Sequence, residues 1–259
     1  MPVQAVAVLL GLPLQRRLPV FYHRLIARVI GLEVVVAGAP RATPPVLMVG
    51  NHVSYLDITV LSTAAECSFV AKAEIAGWPF FGWLAKLQRT VFIERRASRA
   101  RTQRDEIAER LAAGDTLVLF PEGTSDDGIH VRPFKRALFA VAERKVTGRR
   151  VTVQPFSLAY TRLDGLPVGR EWRPLYAWYG DMDLPGHLWR VLGLGLVRAE
   201  LHLHEPVTLD AFADRKALAE HCERVVREGV ARANAGFLPP LPVPRSDGTE
   251  PAAGAGAGA

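Results

Sequence analysis

Cysteine is nearly missing from this chain. Only Cys67 and Cys222 are present, far apart and with no C-x-x-C pair. That excludes a disulfide framework and a cysteine-based zinc site, and both thiols read as small buried hydrophobes in a reducing compartment. Long hydrophobic runs are missing too. The apolar stretch at the N-terminus, MPVQAVAVLLGLPLQRR, covers about a dozen residues and contains Pro13, whereas a bilayer-spanning helix needs ~20. It lacks the basic start and the A-x-A-like exit of a secretory signal. No G-x-S-x-G elbow occurs, which argues against a serine hydrolase. His202 and His204 alternate on a strand pattern with no third ligand in view, so no metal is expected. No nucleic-acid recognition motif accompanies the positive charge, and there is no internal repeat.

What is there is enough for one domain. The 259 residues are 49% apolar and 22% charged, with a formal net charge of +6. Such a chain buries a sizeable core, and its basic surplus suits an anionic partner such as a phosphate headgroup, a membrane surface or an acidic carrier protein. Leu18, Phe21, Tyr22, Leu25, Ile26, Val29 and Ile30 recur at helical spacing among Arg16, Arg17, Arg24 and Arg28. This amphipathic basic pattern fits a helix lying in a membrane interface and equally a helix packed on its own domain. Beyond it, strands are predicted at 33–37, 46–49, 67–71, 90–93, 116–120, 151–158, 175–178 and 199–203. Helices are predicted at 56–65, 78–87, 98–113, 135–144 and 211–234. Strand alternating with helix implies an α/β fold: a single domain with a largely parallel sheet covered by helices. We read 1–31 as an N-terminal amphipathic, membrane-associating segment, 32–238 as the domain, and the Pro-, Gly- and Ala-rich stretch 239–259 as a disordered tail.

Four segments carry chemistry. The first is Gly50-Asn51-His52-Val53-Ser54-Tyr55-Leu56-Asp57, just beyond an apolar strand, where α/β sheets place their ligands. With His52 in the turn and Asp57 in the first turns of the helix, the carboxylate can reach back to the imidazole. It would fix the tautomer and leave the other nitrogen to take a proton. The second is Thr90-Val91-Phe92-Ile93-Glu94-Arg95-Arg96, where the planar fork of Arg95 suits a phosphate. The third is Phe120-Pro121-Glu122-Gly123-Thr124-Ser125, a turn in which Gly123 permits close approach of a ligand. Thr124 and Ser125 add hydroxyls there, and Glu122 could accept from an acceptor hydroxyl or an arginine. The fourth is Val153-Gln154-Pro155-Phe156, where Pro155 marks a strand edge or end.

In this order the four blocks resemble the lysophosphatidate (1-acylglycerol-3-phosphate) acyltransferase family over roughly 46–158. Flanking segments, Trp178-Tyr179-Gly180-Asp181 among them, look like its bacterial branch that includes lyso-ornithine-lipid acyltransferases. The resemblance implies His52 as general base, Asp57 as its orienting partner, and Arg95, Glu122, Gly123 and Thr124 around the acceptor. It implies that Pro155 shapes the donor region. The donor would be acyl-CoA or acyl carrier protein, with no cofactor and no metal. The partners would be a membrane lipid acceptor and a membrane surface, with no nucleic acid. The enzyme would sit peripherally or monotopically on the cytoplasmic face of the inner membrane. The acceptor expected first is lysophosphatidate. With lyso-ornithine lipid as the alternative, Arg95 would meet a carboxylate instead of a phosphate. A non-catalytic membrane-binding protein is the reading from another class. Glu94 stands where the block often has Asp.

Overall fold

The computed structural model describes residues 1–94, 100–146 and 148–236. Helices α1 (Pro2–Leu9) and α2 (Leu14–Val29) precede strands β1 (Leu32–Gly38) and β2 (Val46–Gly50). Then come α3 (Leu56–Ala64), β3 (Ser68–Lys72), α4 (Phe81–Leu87), β4 (Val91–Ile93), α5 (Ala100–Ala112) and β5 (Thr116–Leu119). A short hairpin, β6 (Lys145–Val146) and β7 (Arg149–Arg150), leads into β8 (Thr152–Leu163) and β9 (Leu166–Pro167). The chain closes with α6 (Leu184–Leu192), β10 (Val197–Leu203) and α7 (Arg215–Asn234).

The main sheet runs β1-β10-β8-β2-β5-β3-β4, with β9 paired to β8. β8, β2, β5, β3 and β4 are mutually parallel, β10 is antiparallel to β8, and β1 is parallel to β10. Side-chain alternation along β2 explains why both faces are covered. Val46 and Met48 join a core with Phe156, Leu158 and Leu201 on one side. Leu47 and Val49 join Leu117, Val153, Leu111 of α5 and Val226 of α7 on the other. Each of these buried apolar side chains contributes about 1.5–3 kcal/mol.

Most of the predicted elements form, and the differences have physical causes. The segment 175–178 is not a strand. A short 3₁₀ turn covers Arg173–Leu175, and Tyr176 and Ala177 are fully buried beyond it, so its apolar residues fill the core without pairing. The segment predicted as a helix at 135–144 is 3₁₀ over Arg136–Glu143. α7 starts at Arg215 because Asp214 caps it, accepting from the Ala217 N–H. α6, unforeseen, is capped the same way by Asp183. Pro155 sits inside a central strand, not at an edge. Its neighbour Val153 donates its N–H to Val207, and Pro155 accepts from the His204 N–H. The donor that proline lacks therefore faces the point where the chain leaves β10. The predicted tail at 239–259 lies outside the described residues.

The N-terminal segment packs on the domain. Pro19, His23 and Ala27 of α2 are buried, and Gln4 of α1 donates to the carbonyls of Gln15 and Leu87. On the outward surface, Phe21, 70% exposed, Leu25 and Val29 mix with Arg17, Arg24 and Arg28. Apolar and basic residues thus share one surface and do not divide into two clean faces. Among the described residues no helix is long and apolar enough to cross a membrane.

His23 links α2 to the domain through Thr59 Oγ1 and Gln88 Oε1, each at 3.3 Å. Burial pushes its pKa down to about 4. The unfolded chain therefore binds an extra proton between pH ~6.5 and ~4, and this stabilisation is complete above the upper value and lost as pH falls through the lower one. We expect His23→Gln to flatten the fall in stability across that window by up to about 3 kcal/mol, read from urea unfolding at a series of pH values.

Candidate active site

Parallel strands β2 and β5 are neighbours, so the turns after their carboxyl ends, which carry His52 and Glu122, meet at one rim of the sheet. Gly50 is required there. A Cβ on it would run into the ring and carbonyl of Phe156. Asn51 then extends the pairing with β8 by side chain: its Nδ2 donates to the Leu158 carbonyl and its Oδ1 accepts from the Leu158 N–H, both at 2.8 Å. Held at both ends, the turn presents His52.

Asp57 is fully buried in the first turn of α3. Its Oδ2 lies 2.7 Å from His52 Nδ1 and also accepts from the N–H groups of Val53 (2.7 Å) and Ser54 (3.0 Å). Its Oδ1 accepts from the Tyr160 hydroxyl at 2.8 Å. Burial first, and then the Asp57 charge, push the Tyr160 phenol well above its usual value, so it stays a donor. Four donors around one carboxylate match an acceptor-only group. They hold the oxygen that orients the imidazole, with Nδ1–H toward Asp57 and Nε2 left as the basic nitrogen. The His52 side chain is 23% exposed, and its ring stacks on Phe120 with centroids 4.0 Å apart and planes 13° apart. Nε2 has no hydrogen-bond partner among the described residues. The arrangement can accept a proton from a hydroxyl placed at the opening.

Glu122 serves the main chain. Its Oε1 accepts from the His52 N–H at 2.7 Å and its Oε2 from the Arg132 N–H at 2.8 Å. Burial pushes its pKa up to about 8, against the downward pull of those two donors. Sequence reading placed Glu122 around the acceptor; in the structure its carboxylate also ties the two rim turns together. Gly123 adopts φ +71°, the left-handed region that suits glycine. Its N–H donates to the Phe120 carbonyl at 3.0 Å, closing the turn. Thr124 is half-buried beside it. Pro155, level with Val49 in the ladder, lies buried beneath the site. Arg95 lies outside the described residues.

Sequence reasoning missed Tyr160, Phe120 as the ring beneath His52, and the wall formed by 178. The Trp178 N–H donates to the Val53 carbonyl at 3.0 Å, and Ser125 Oγ donates to the Trp178 carbonyl. Trp178 also meets Trp78 edge-on at 5.9 Å, and Trp78, Phe80 and Trp83 are exposed next to it. Trp178 is thereby tied to the turn that carries the histidine, through the Val53 carbonyl. Among the described residues no group of three His, Cys, Asp or Glu side chains is placed to hold a metal.

Known proteins resemble this chain in sequence and in fold. The acyltransferase family model matches residues 27–159, which span both rim turns and β8 as far as Ala159. The chain is 48% identical to a lyso-ornithine lipid O-acyltransferase of Brucella abortus (strain 2308) over 218 residues, 82% of this chain and 81% of that protein. It is 34% identical to a 1-acyl-sn-glycerol-3-phosphate acyltransferase of Neisseria gonorrhoeae over 205 residues, 78% of this chain and 75% of that protein. The crystal structure of the 1-acyl-sn-glycerophosphate (LPA) acyltransferase PlsC from Thermotoga maritima shares the fold, with a TM-score of 0.58 at 24% identity, covering 85% of this chain and 80% of that one. The protein with the paired His52 and Asp57 is an enzyme and belongs to the acyltransferase family.

Proposed function

We propose that this acyltransferase moves a fatty acyl group from a thioester donor, acyl-CoA or acyl carrier protein, to the free hydroxyl of lyso-ornithine lipid. The observation that carries the chemistry is the 2.7 Å contact between His52 Nδ1 and buried Asp57, with Nε2 left without a partner among the described residues. In the proposed reaction Nε2 removes the hydroxyl proton as that oxygen attacks the thioester carbonyl. The C–S bond of the tetrahedral intermediate then breaks, and the departing thiolate takes the proton back from the imidazolium. An ester and a free thiol result, and no acyl-enzyme is needed because the thioester is already activated. Positioning and general-base help are what the protein supplies.

The choice of acceptor rests on the relatives. Lyso-ornithine lipid O-acyltransferases of Brucella abortus and Rhizobium meliloti match at 48% and 41% identity over more than four fifths of the chain, against 34% for the glycerophosphate enzyme of Neisseria gonorrhoeae. This reverses the order in which the sequence motifs rank the two acceptors. Lysophosphatidate is the second reading, favoured by the four shared blocks. The Trp78–Phe80–Trp83 patch and the mixed apolar and basic surface of α2 support attachment to a membrane surface, which the proposed reaction assigns to the cytoplasmic face of the inner membrane, where donor and lipid would meet. We expect purified protein in lipid vesicles, given one acyl donor, to yield ornithine lipid from lyso-ornithine lipid by mass spectrometry, and His52→Ala to yield at most about a hundredth as much in the same time. Phosphatidate formed from lysophosphatidate alone would transfer the assignment to the second reading. No product from either acceptor with both donor classes would refute the proposed reaction.

A further inference from the structure

At the opposite end of the sheet from His52, the starts of β2, β3 and β5 surround a cavity of about 230 Å³. Pro44, Ser68 and Thr116 mark these strand starts in its lining, so roughly 20 Å of strand and turn separates it from the catalytic rim. Its chemistry is cationic. Arg16, Arg41 and Arg89 line it together with Asp115 and Glu66. Asp115 is almost fully buried and already shared by three guanidiniums: Arg89 at 2.7 Å, Arg110 at 2.6 Å and Arg16 at 3.0 Å. Glu66, on the exposed rim, lies 3.9 Å from Arg17. Arg41 donates one N–H to the Ala64 carbonyl and pairs with no carboxylate among the described residues. With Arg110 behind the lining, four guanidiniums stand against two carboxylates, Asp115 and Glu66, so the cavity keeps a surplus of positive charge.

The backbone is strained to build this cluster. Arg89 has φ +60°, a conformation that costs a non-glycine residue about 1 kcal/mol or more. Its side chain holds both oxygens of Asp115, and its carbonyl accepts from Arg110 Nη1 at 2.8 Å. Burial and the adjacent guanidiniums of Arg110 and Arg16 draw the Arg89 pKa downward, opposed by Asp115. An added anion would relieve that crowding. Planar guanidinium forks suit tetrahedral oxyanions, and a cavity of this size takes a headgroup and not a whole lipid. The neighbouring turn exposes Leu9, Leu10, Leu12 and Leu14, so apolar and cationic surface meet at one edge of the molecule.

We propose that this pocket is a phosphate-binding site, separate from the acyl-transfer centre, in which Arg41 and Arg16 supply the contacts that the Asp115 cluster leaves open. The phosphate belongs either to a bilayer lipid headgroup or to a soluble phosphate. The test is calorimetric titration of the full-length protein with inorganic phosphate, at ionic strength held constant with chloride. We expect saturable binding that Arg41→Gln and Arg16→Gln each weaken by about tenfold and that His52→Ala leaves unchanged. A parallel flotation with phosphatidylcholine vesicles, with and without phosphatidylglycerol, separates the sources. If the Arg41→Gln deficit appears with the anionic vesicles, the ligand is a headgroup. If it appears only with free phosphate, the ligand is soluble. Absence of saturable phosphate binding, or equal affinity in the wild type and both arginine variants, overturns the proposal. Acyl transfer by Arg41→Gln stays at the wild-type rate under saturating substrates, so failure here is distinguishable from failure of the catalytic reading.

Discussion

Replacing His52 with alanine is expected to lower kcat by about 10²–10⁴-fold, the range a positioned general base contributes, while leaving the fold intact. The structural argument for intactness is specific. Alanine removes the Nδ1 contact with Asp57, which keeps its three other donors, while the main chain at position 52 stays held: the N–H bonds Glu122 Oε1 and the carbonyl accepts from the Asp126 N–H at 2.9 Å. Both bonds survive in alanine. The lost ring is partly solvent-facing, and its stacking on Phe120 contributes only about 1 kcal/mol. Steady-state kinetics beside thermal unfolding checks this. A large loss of activity at an almost unchanged Tm is the expected pair of results. An active alanine variant would remove His52 from the chemistry.

Asp57→Asn tests the other half of the pair and should damage both activity and stability. One amide oxygen can serve His52, Val53 and Ser54, with the NH₂ turned to Tyr160, so the tautomer survives but the negative charge beside the forming imidazolium does not. We expect kcat to fall by about 10²-fold or more. The charge-assisted bonds from two backbone N–H groups and a buried phenol weaken at the same time, at a cost of about 1–3 kcal/mol in unfolding free energy. Asp57→Ala would be worse on the second count, because it leaves buried donors with no acceptor at all. Normal turnover in the asparagine variant would mean that the carboxylate organises the turn without assisting the base.

Comparing the two ends of the sheet shows how differently a site can announce itself. His52 and Asp57 are five residues apart on one turn-to-helix junction, so their contact follows from local geometry and was readable in the chain. Pro-Glu-Gly after an apolar strand likewise foretold a turn at a strand end. What Glu122 does there was not readable. Its two partners are backbone N–H groups 70 and 10 residues away, and backbone donors carry no mark in a sequence. Tyr160 is 103 residues from Asp57. It reaches the carboxylate because β8 runs parallel to β2 with Phe156 opposite Gly50, and alternation then puts Tyr160 on the same face as Phe156, beyond the end of β2. No local pattern distinguishes it from any other core tyrosine. The arginine cavity is the extreme case, since Arg16, Arg89 and Arg110 come from three separate segments and converge on one carboxylate, with Arg41 from a fourth segment lining the same cavity.

Periodicity and turn chemistry settle local questions. Apolar runs bounded by glycine and polar residues were enough for the alternating α/β character, for most of the strands and for the histidine turn, because those depend on interactions within a few residues. They were not enough for the segment 175–178, whose apolar content suits a strand or a buried turn equally well, nor for Pro155, which is tolerated in a central strand only because its neighbour leaves the ladder at that point. Strand order, register, the antiparallel pair of β8 and β10 and the packing of α1 and α2 on the domain arise from contacts between segments far apart in the chain. Those contacts choose among locally equivalent conformations by burying apolar surface and pairing backbone groups, and they place the fourth donor on Asp57 and the unbalanced guanidiniums at the far end of the sheet.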